Sequence, residues 1–279
     1  MTPSSGFLSS LAKVNHAKRH LDQLTHAVAS YLSSSPYQLS ARENLSTKMW
    51  DIFVAGLTQT PESITMISGD VIYNLRSALD HVAWGLVRVN GPPPQPNGIY
   101  FPIANNSAAY KEKRKKLVGL ATPAAVHQID ALMPYQADPS TPTLGNDHLW
   151  HLHRLNIIDK HRAILTCGST VNSVNLGAAM FRNTLDDLRT RDARGELDEV
   201  QKGFLTMKPL DAFFRFEDQN FPLRQGDVLF SYNHPEVEFR FELHIAESDL
   251  LLGKPILQSL RDMIDEVHRI VLLFEKYLT

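Results

Sequence analysis

Two stretches of the chain carry side chains that can move protons, hold phosphate or ligate metal, set at helical spacing. In the first, Asp70, Asn74, Ser77 and His81 recur at i, i+4, i+7 and i+11. At about 100° per residue they fall within about 60° of one another and make one polar stripe. Ile67, Val71, Leu75, Ala78, Leu79, Val82 and Leu86 lie on the opposite side. The stripe lacks the Lys and Glu that exposed helix faces use, and it runs on toward Trp84. That composition suits a polar seam between packed helices, whose groups must be paired if buried. Arg76 and Asp80 stand at i, i+4 on an adjacent face and are spaced to pair with each other.

The second stretch runs from Asp147 to Arg162 and holds four of the twelve histidines: His148, His151, His153 and His161. Leu149, Leu152, Leu155 and Ile158 tie it to a core, and His153, Asn156 and Lys160 share one face. Asp159 and Arg162 are at i, i+3. Neutral imidazole is the commonest transition-metal ligand. His148 and His151 are spaced i, i+3, and His16 and His20 are spaced i, i+4, the separation of two-histidine helical metal motifs. No Glu stands between His16 and His20 in the metalloprotease pattern, and a single cysteine, Cys167, argues against a thiolate zinc site. No metal or other cofactor is therefore expected.

Composition narrows the function classes. The 279 residues are 43% hydrophobic and 21% charged, with a formal net charge of −2. The apolar fraction is too high for a disordered chain. One cysteine excludes a disulfide scaffold and fits a reducing cytoplasm. Apolar runs fall short of the ~18–20 residues that span a bilayer, and residues 1–5 show no signal-peptide start, so no membrane partner is expected. The near-neutral charge confines any RNA contact to a local patch, and Lys111–Lys116, which includes Lys113 and Arg114, is the one concentrated basic run. No phosphate-cradling glycine loop and no serine elbow occur, so no nucleotide cofactor is expected.

Gly69–His81 resembles the pattern GDxxxNLRSALDH of a widespread family of uncharacterised bacterial and phage proteins. The same family carries an FPI segment, matched by Phe101-Pro102-Ile103, then LHxLNxxDKHR, matched by Leu152–Arg162, and a late β region. The resemblance covers nearly the whole chain in order, and it implies a family label and no activity. Arg76, four intervening residues and His81 also resemble the arginine–histidine motif of HEPN-type helical ribonucleases. That resemblance implies a bundle helix at a homo-oligomer interface, metal-independent RNA cleavage, and a toxin or phage-defence role. Arg76 would stabilise charge developing on the phosphate and His81 would move the 2′-hydroxyl proton, with His153, Asn156 and Lys160 assisting. Ser77 replaces the Asn or Asp that usually follows the arginine. Arg76 and His81 also lie about 140° apart on a straight helix, so a distortion or a second subunit must bring them together.

Three functions stand open on these residues. The first is a non-enzymatic binding or structural protein whose polar groups, Asp70, Asn74, Asn156, Asp159 and His161, form a helix–helix seam. The second is a HEPN-like ribonuclease. The third is a metal-dependent hydrolase using the clustered histidines.

The elements that must position these residues follow from periodicity. Helices are expected over 6–33, 61–89, 107–117, 122–132, 147–162 and 255–278, with Thr60 as cap and Pro61 as first residue of the second. Strands are expected over 48–57 and within 163–176 and 211–246. Val237, Phe239, Phe241, Leu243 and Ile245 alternate there against Glu238, Arg240, Glu242 and His244, the mark of a half-wet antiparallel sheet. The Pro-rich stretch 91–98 is expected to be a stiff loop and not a linker. The fold expected is α+β: one domain, a helical bundle of long helices with an antiparallel sheet packed against it.

Overall fold

The computed structural model describes residues 5–92, 98–117, 119–138, 140, 144–161, 167–208, 210–215, 221–235, 237–245 and 254–278, with His161 and Asn183 described by their backbone alone. The fold is α+β, with helices and two small antiparallel sheets. Residue contacts divide the chain into two compact units that interleave in sequence. The first comprises Met1–Ser30, Pro61–Cys167 and Ile245–Thr279, and the second comprises Tyr31–Thr60 and Gly168–His244.

The first unit is helical. It contains α1 (Ser5–Ser33) up to Ser30, α2 (Glu62–Arg88), α3 (Ser107–Arg114), α4 (Pro123–Ala131), α5 (Asp147–His161) and α8 (Ile256–Phe274). α2 packs on both α5 and α8, and its apolar side, from Ile64 through Val71, Leu75, Leu79, Val82 and Leu86, is buried. Pro61, not Thr60, is the N-cap of α2, and no side chain caps it. Its far end stops as the Asn90-Gly91 signal requires, with Gly91 at φ 114° in a region that favours glycine. The Asn106 carboxamide caps α3 and Thr122 caps α4. Asn146 accepts from the Leu149 amide at 3.1 Å and so caps α5. α8 buries one stripe, from Ile256 through Leu260, Ile264, Val267 and Val271 to Phe274, and Phe274 meets Phe101 edge-on.

Among the described residues, the second unit holds two three-stranded sheets and two helices, α6 (Gly177–Asp192) and α7 (Glu199–Phe204). One sheet has the order β1 (Tyr37–Asn44), β2 (Met49–Leu57), β5 (Val228–Tyr232), and the other β4 (Phe213–Arg215), β3 (Cys167–Asn175), β6 (Glu238–Ile245). β1, α6 and α7 are not marked by the sequence pattern. β1 is an edge strand rich in polar residues and is held by its backbone register with β2. β6 departs from the expected alternation at His244. That side chain is buried, not wet, because Phe221 covers its ring and Glu242 lies 3.7 Å away.

Expectations for Ala163–Thr166, Phe216, Pro93–Asn97 and Arg162 fall outside the described residues. Among the described residues, no helix is long and apolar enough to cross a membrane.

Candidate functional site: a cationic cavity of the helical unit

Arg76 projects from the middle of α2 and is almost fully buried. Its guanidinium lies 2.7 Å from Asp80 Oδ1 and donates from Nη2 to the Phe101 carbonyl at 3.0 Å. The Phe101 amide in turn donates to Asp80 Oδ1 at 2.9 Å. The i, i+4 pair thus grips one residue's backbone from both sides, and this docks the Phe101-Pro102-Ile103 segment on α2. Burial pulls both members toward neutrality, lowering the Arg76 pKa and raising that of Asp80, while their mutual attraction opposes it. Arginine keeps its proton in proteins, so burial here costs energy without discharging the group.

The docked segment closes a cavity of about 220 Å³. Arg76, Lys113, Lys116 and His153 supply its polar lining, and Gly98, Tyr100, Phe101, Pro102 and Ile103 the rest. Lys113 reaches in from α3 and donates to the Ile103 carbonyl at 2.6 Å. Desolvation, with Arg76 and Lys116 nearby, lowers its pKa. His153 comes from α5, with Nε2 3.5 Å from the Lys113 ammonium. Because the ammonium only donates, Nε2 is the acceptor and the proton sits on Nδ1. Nδ1 is buried and finds no hydrogen-bond partner among the described residues. Burial, then Arg76, Lys113 and Arg154, push the His153 pKa down to about 3, so the imidazole is neutral at ordinary pH. Three cations and a neutral imidazole therefore converge, with Asp80 behind Arg76 as the nearby counter-charge.

Of the residues singled out by sequence, the cavity gathers Arg76, His153 and Lys113. His81 does not line it. Lys13 of α1 and Asp80 are the charged groups it feels, and desolvation followed by Lys13 lowers its pKa. Asn74 is buried, donates to the Asp70 carbonyl at 2.8 Å and accepts from Lys13 at 3.4 Å. Asp70 itself is exposed. Lys160 is exposed and lies 4.9 Å from the centre of the Tyr73 ring, with Lys13 at 5.4 Å from the same ring. Asp159 packs against Gly69, where a Cβ would stand 2.7 Å from its Oδ1. Desolvation and then Asp70 raise its pKa. Asn156 is buried on α5. Asn74 thus meets α1 and Asp159 meets α2, and neither is among the residues that line the cavity. The His161 side chain lies outside the described residues.

Arg114 does not join Lys113. It makes a two-point contact with Asp130 of α4, at 2.6 and 2.7 Å, and the Tyr110 hydroxyl donates to the same carboxylate at 2.6 Å. That contact raises the Arg114 pKa. Among the described residues, no three His, Cys, Asp or Glu side chains group as metal ligands would. The His16 and His20 rings lie 5.8 Å apart on α1.

Sequence reasoning missed Tyr100 and Lys116. Lys116 was visible within the basic run, three residues beyond Lys113. Tyr100 stands beside the Phe101-Pro102-Ile103 segment, which the sequence marks only through the family pattern. Set against protein-family models, curated proteins and solved structures, the chain matches none.

Proposed function

We propose that this is a binding protein whose helical unit captures a small ligand by an anionic headgroup of phosphate size. The observation that carries this is the convergence of Arg76, Lys113 and Lys116 on one small cavity beside the neutral His153. Such a set attracts a dianion, with Arg76 buried and Lys113 and Lys116 exposed at the rim. The apolar wall from Phe101 to Ile103 suits the carbon that bears the headgroup.

Binding is favoured over cleavage by the character of the lining. The described lining residues include no Ser, Thr, Cys, Asp or Glu to act as nucleophile or general base. His153 has one ring nitrogen facing an ammonium and the other buried. A HEPN-type ribonuclease would need Arg76 and His81 on one phosphate, and of the two only Arg76 borders the cavity.

Calorimetric titration with methyl phosphate tests the proposal. The wild-type protein is expected to bind it, the Lys113→Ala/Lys116→Ala double variant at least tenfold more weakly, and Arg114→Ala like wild type. Absence of binding by the wild-type protein, or equal binding by the double variant, overturns it.

A further inference from the structure

The cavity is small for a whole ligand. Its volume of about 220 Å³ lies below the roughly 300–1,000 Å³ of pockets that enclose drug-sized molecules. A phosphate and the sugar or short carbon chain bearing it fill such a space, and anything larger must lie outside. What lies at the mouth is Tyr100. It belongs to the cavity lining, yet 61% of its surface is open to solvent. The adjoining residues hold it in place: the backbone of Phe101 is gripped by Arg76 and Asp80, and Phe101 itself is buried. Beside it, Gly98 sits at φ 88°, and a Cβ built there would meet nothing within 4 Å. An exposed aromatic ring with fixed flanking backbone therefore stands in the cavity lining.

A cationic recess beside an exposed aromatic ring is one arrangement by which proteins hold single-stranded nucleic acid, and the same contacts suit a single nucleotide. The cations take the phosphate, and the ring offers a stacking platform to any base. From this we infer that the ligand is a nucleoside monophosphate, its phosphate among Arg76, Lys113 and Lys116 and its base stacked on Tyr100. The same chemistry is presented by a free mononucleotide and by the 5′-phosphorylated end of a single strand. The inference rests on the anion-binding function proposed above. It does not conflict with the missing glycine-rich loop, because here side chains do what backbone amides do in such loops.

The test uses the full chain and three probes: adenosine 5′-monophosphate, ribose 5-phosphate and a 5′-phosphorylated triadenylate. The mononucleotide is expected to bind at least tenfold more tightly than ribose 5-phosphate, the scale of one base–aromatic stack. Tyr100→Ala should abolish that advantage, and Tyr100→Phe should keep it. Triadenylate binding at least as tight as the mononucleotide assigns the ligand to a strand end, and weaker binding assigns it to the free nucleotide. Equal affinity of the wild-type protein for mononucleotide and ribose 5-phosphate, or an advantage that survives in Tyr100→Ala, overturns the inference and leaves anion binding standing. If neither phosphate binds, anion binding fails and the inference falls with it.

Discussion

Arg76 and Arg114 are each held by one aspartate, and they differ in everything else. The Arg114 side chain is 35% exposed, meets Asp130 through two parallel hydrogen bonds, and shares that carboxylate with the Tyr110 hydroxyl. Arg76 is 8% exposed, and its contacts are divided between Asp80 and a backbone carbonyl. For Arg114 the hydrogen bonds outweigh burial and the pKa rises, whereas for Arg76 burial outweighs the aspartate and the pKa falls. The first is a satisfied pair that joins α3 to α4. The second is a charge kept in a costly place, at the wall of a cavity that also holds Lys113, Lys116 and His153. Buried ion pairs are poor sources of stability, and this one is engaged in holding the Phe101 backbone beside the cavity.

The comparison breaks most visibly at the aspartates. Asp80→Ala strands a buried guanidinium and the Phe101 amide together. The expected loss is about 3–5 kcal/mol, the cost of breaking a buried pair from one side, read from the midpoint of urea unfolding. Asp130→Ala removes a half-exposed pair and the acceptor of Tyr110, and about 1 kcal/mol is expected. Methyl phosphate binding should survive Asp130→Ala. If the two variants lose equal stability, or if Asp130→Ala weakens phosphate binding, the distinction between the two arginines is wrong.

Part of this distinction was legible in the sequence. The Arg76–Asp80 spacing predicts an ion pair, and the pair forms. The sequence does not show that its shared task is to grip Phe101, because that contact joins residues 25 apart through a backbone carbonyl. The basic run predicts phosphate contacts at both Lys113 and Arg114. These neighbours point about 100° apart on a helix, so only one can face the cavity, and the other meets an acid brought by α4. The polar stripe of α2 was read as one feature, and packing splits it: Asn74 is buried against α1, while Asp70 stays exposed. Strand β1 escaped because its residues are mostly polar and its hold is backbone pairing, which carries no side-chain signature. Long amphipathic helices such as α8 were legible because one wide apolar stripe has to be buried.

His153 gives the finest measure of what burial beside these cations costs. Its pKa is about 3 in the folded chain, whereas an unfolded histidine titrates near 6.5. Between those values the unfolded chain binds a proton that the folded chain refuses, so stability rises with pH across this window and falls as the solution is acidified from about 6.5 toward 3. Above about 6.5 both states are neutral and the contribution is flat. His153→Asn removes this linkage, so the difference in stability between wild type and variant should shift steadily against the wild type as pH drops from 7 to 4. Urea unfolding across that range measures it. A difference that stays constant, or an NMR titration of His153 with a midpoint near 6.5, would show the ring to be solvated and the cavity no different from the surface around Arg114. Bound phosphate should act in the opposite sense. An anion among Arg76, Lys113 and Lys116 offsets the cations that help keep the imidazole neutral. Saturating methyl phosphate should therefore raise the His153 midpoint, and the acid side of the stability profile should flatten by the same linkage.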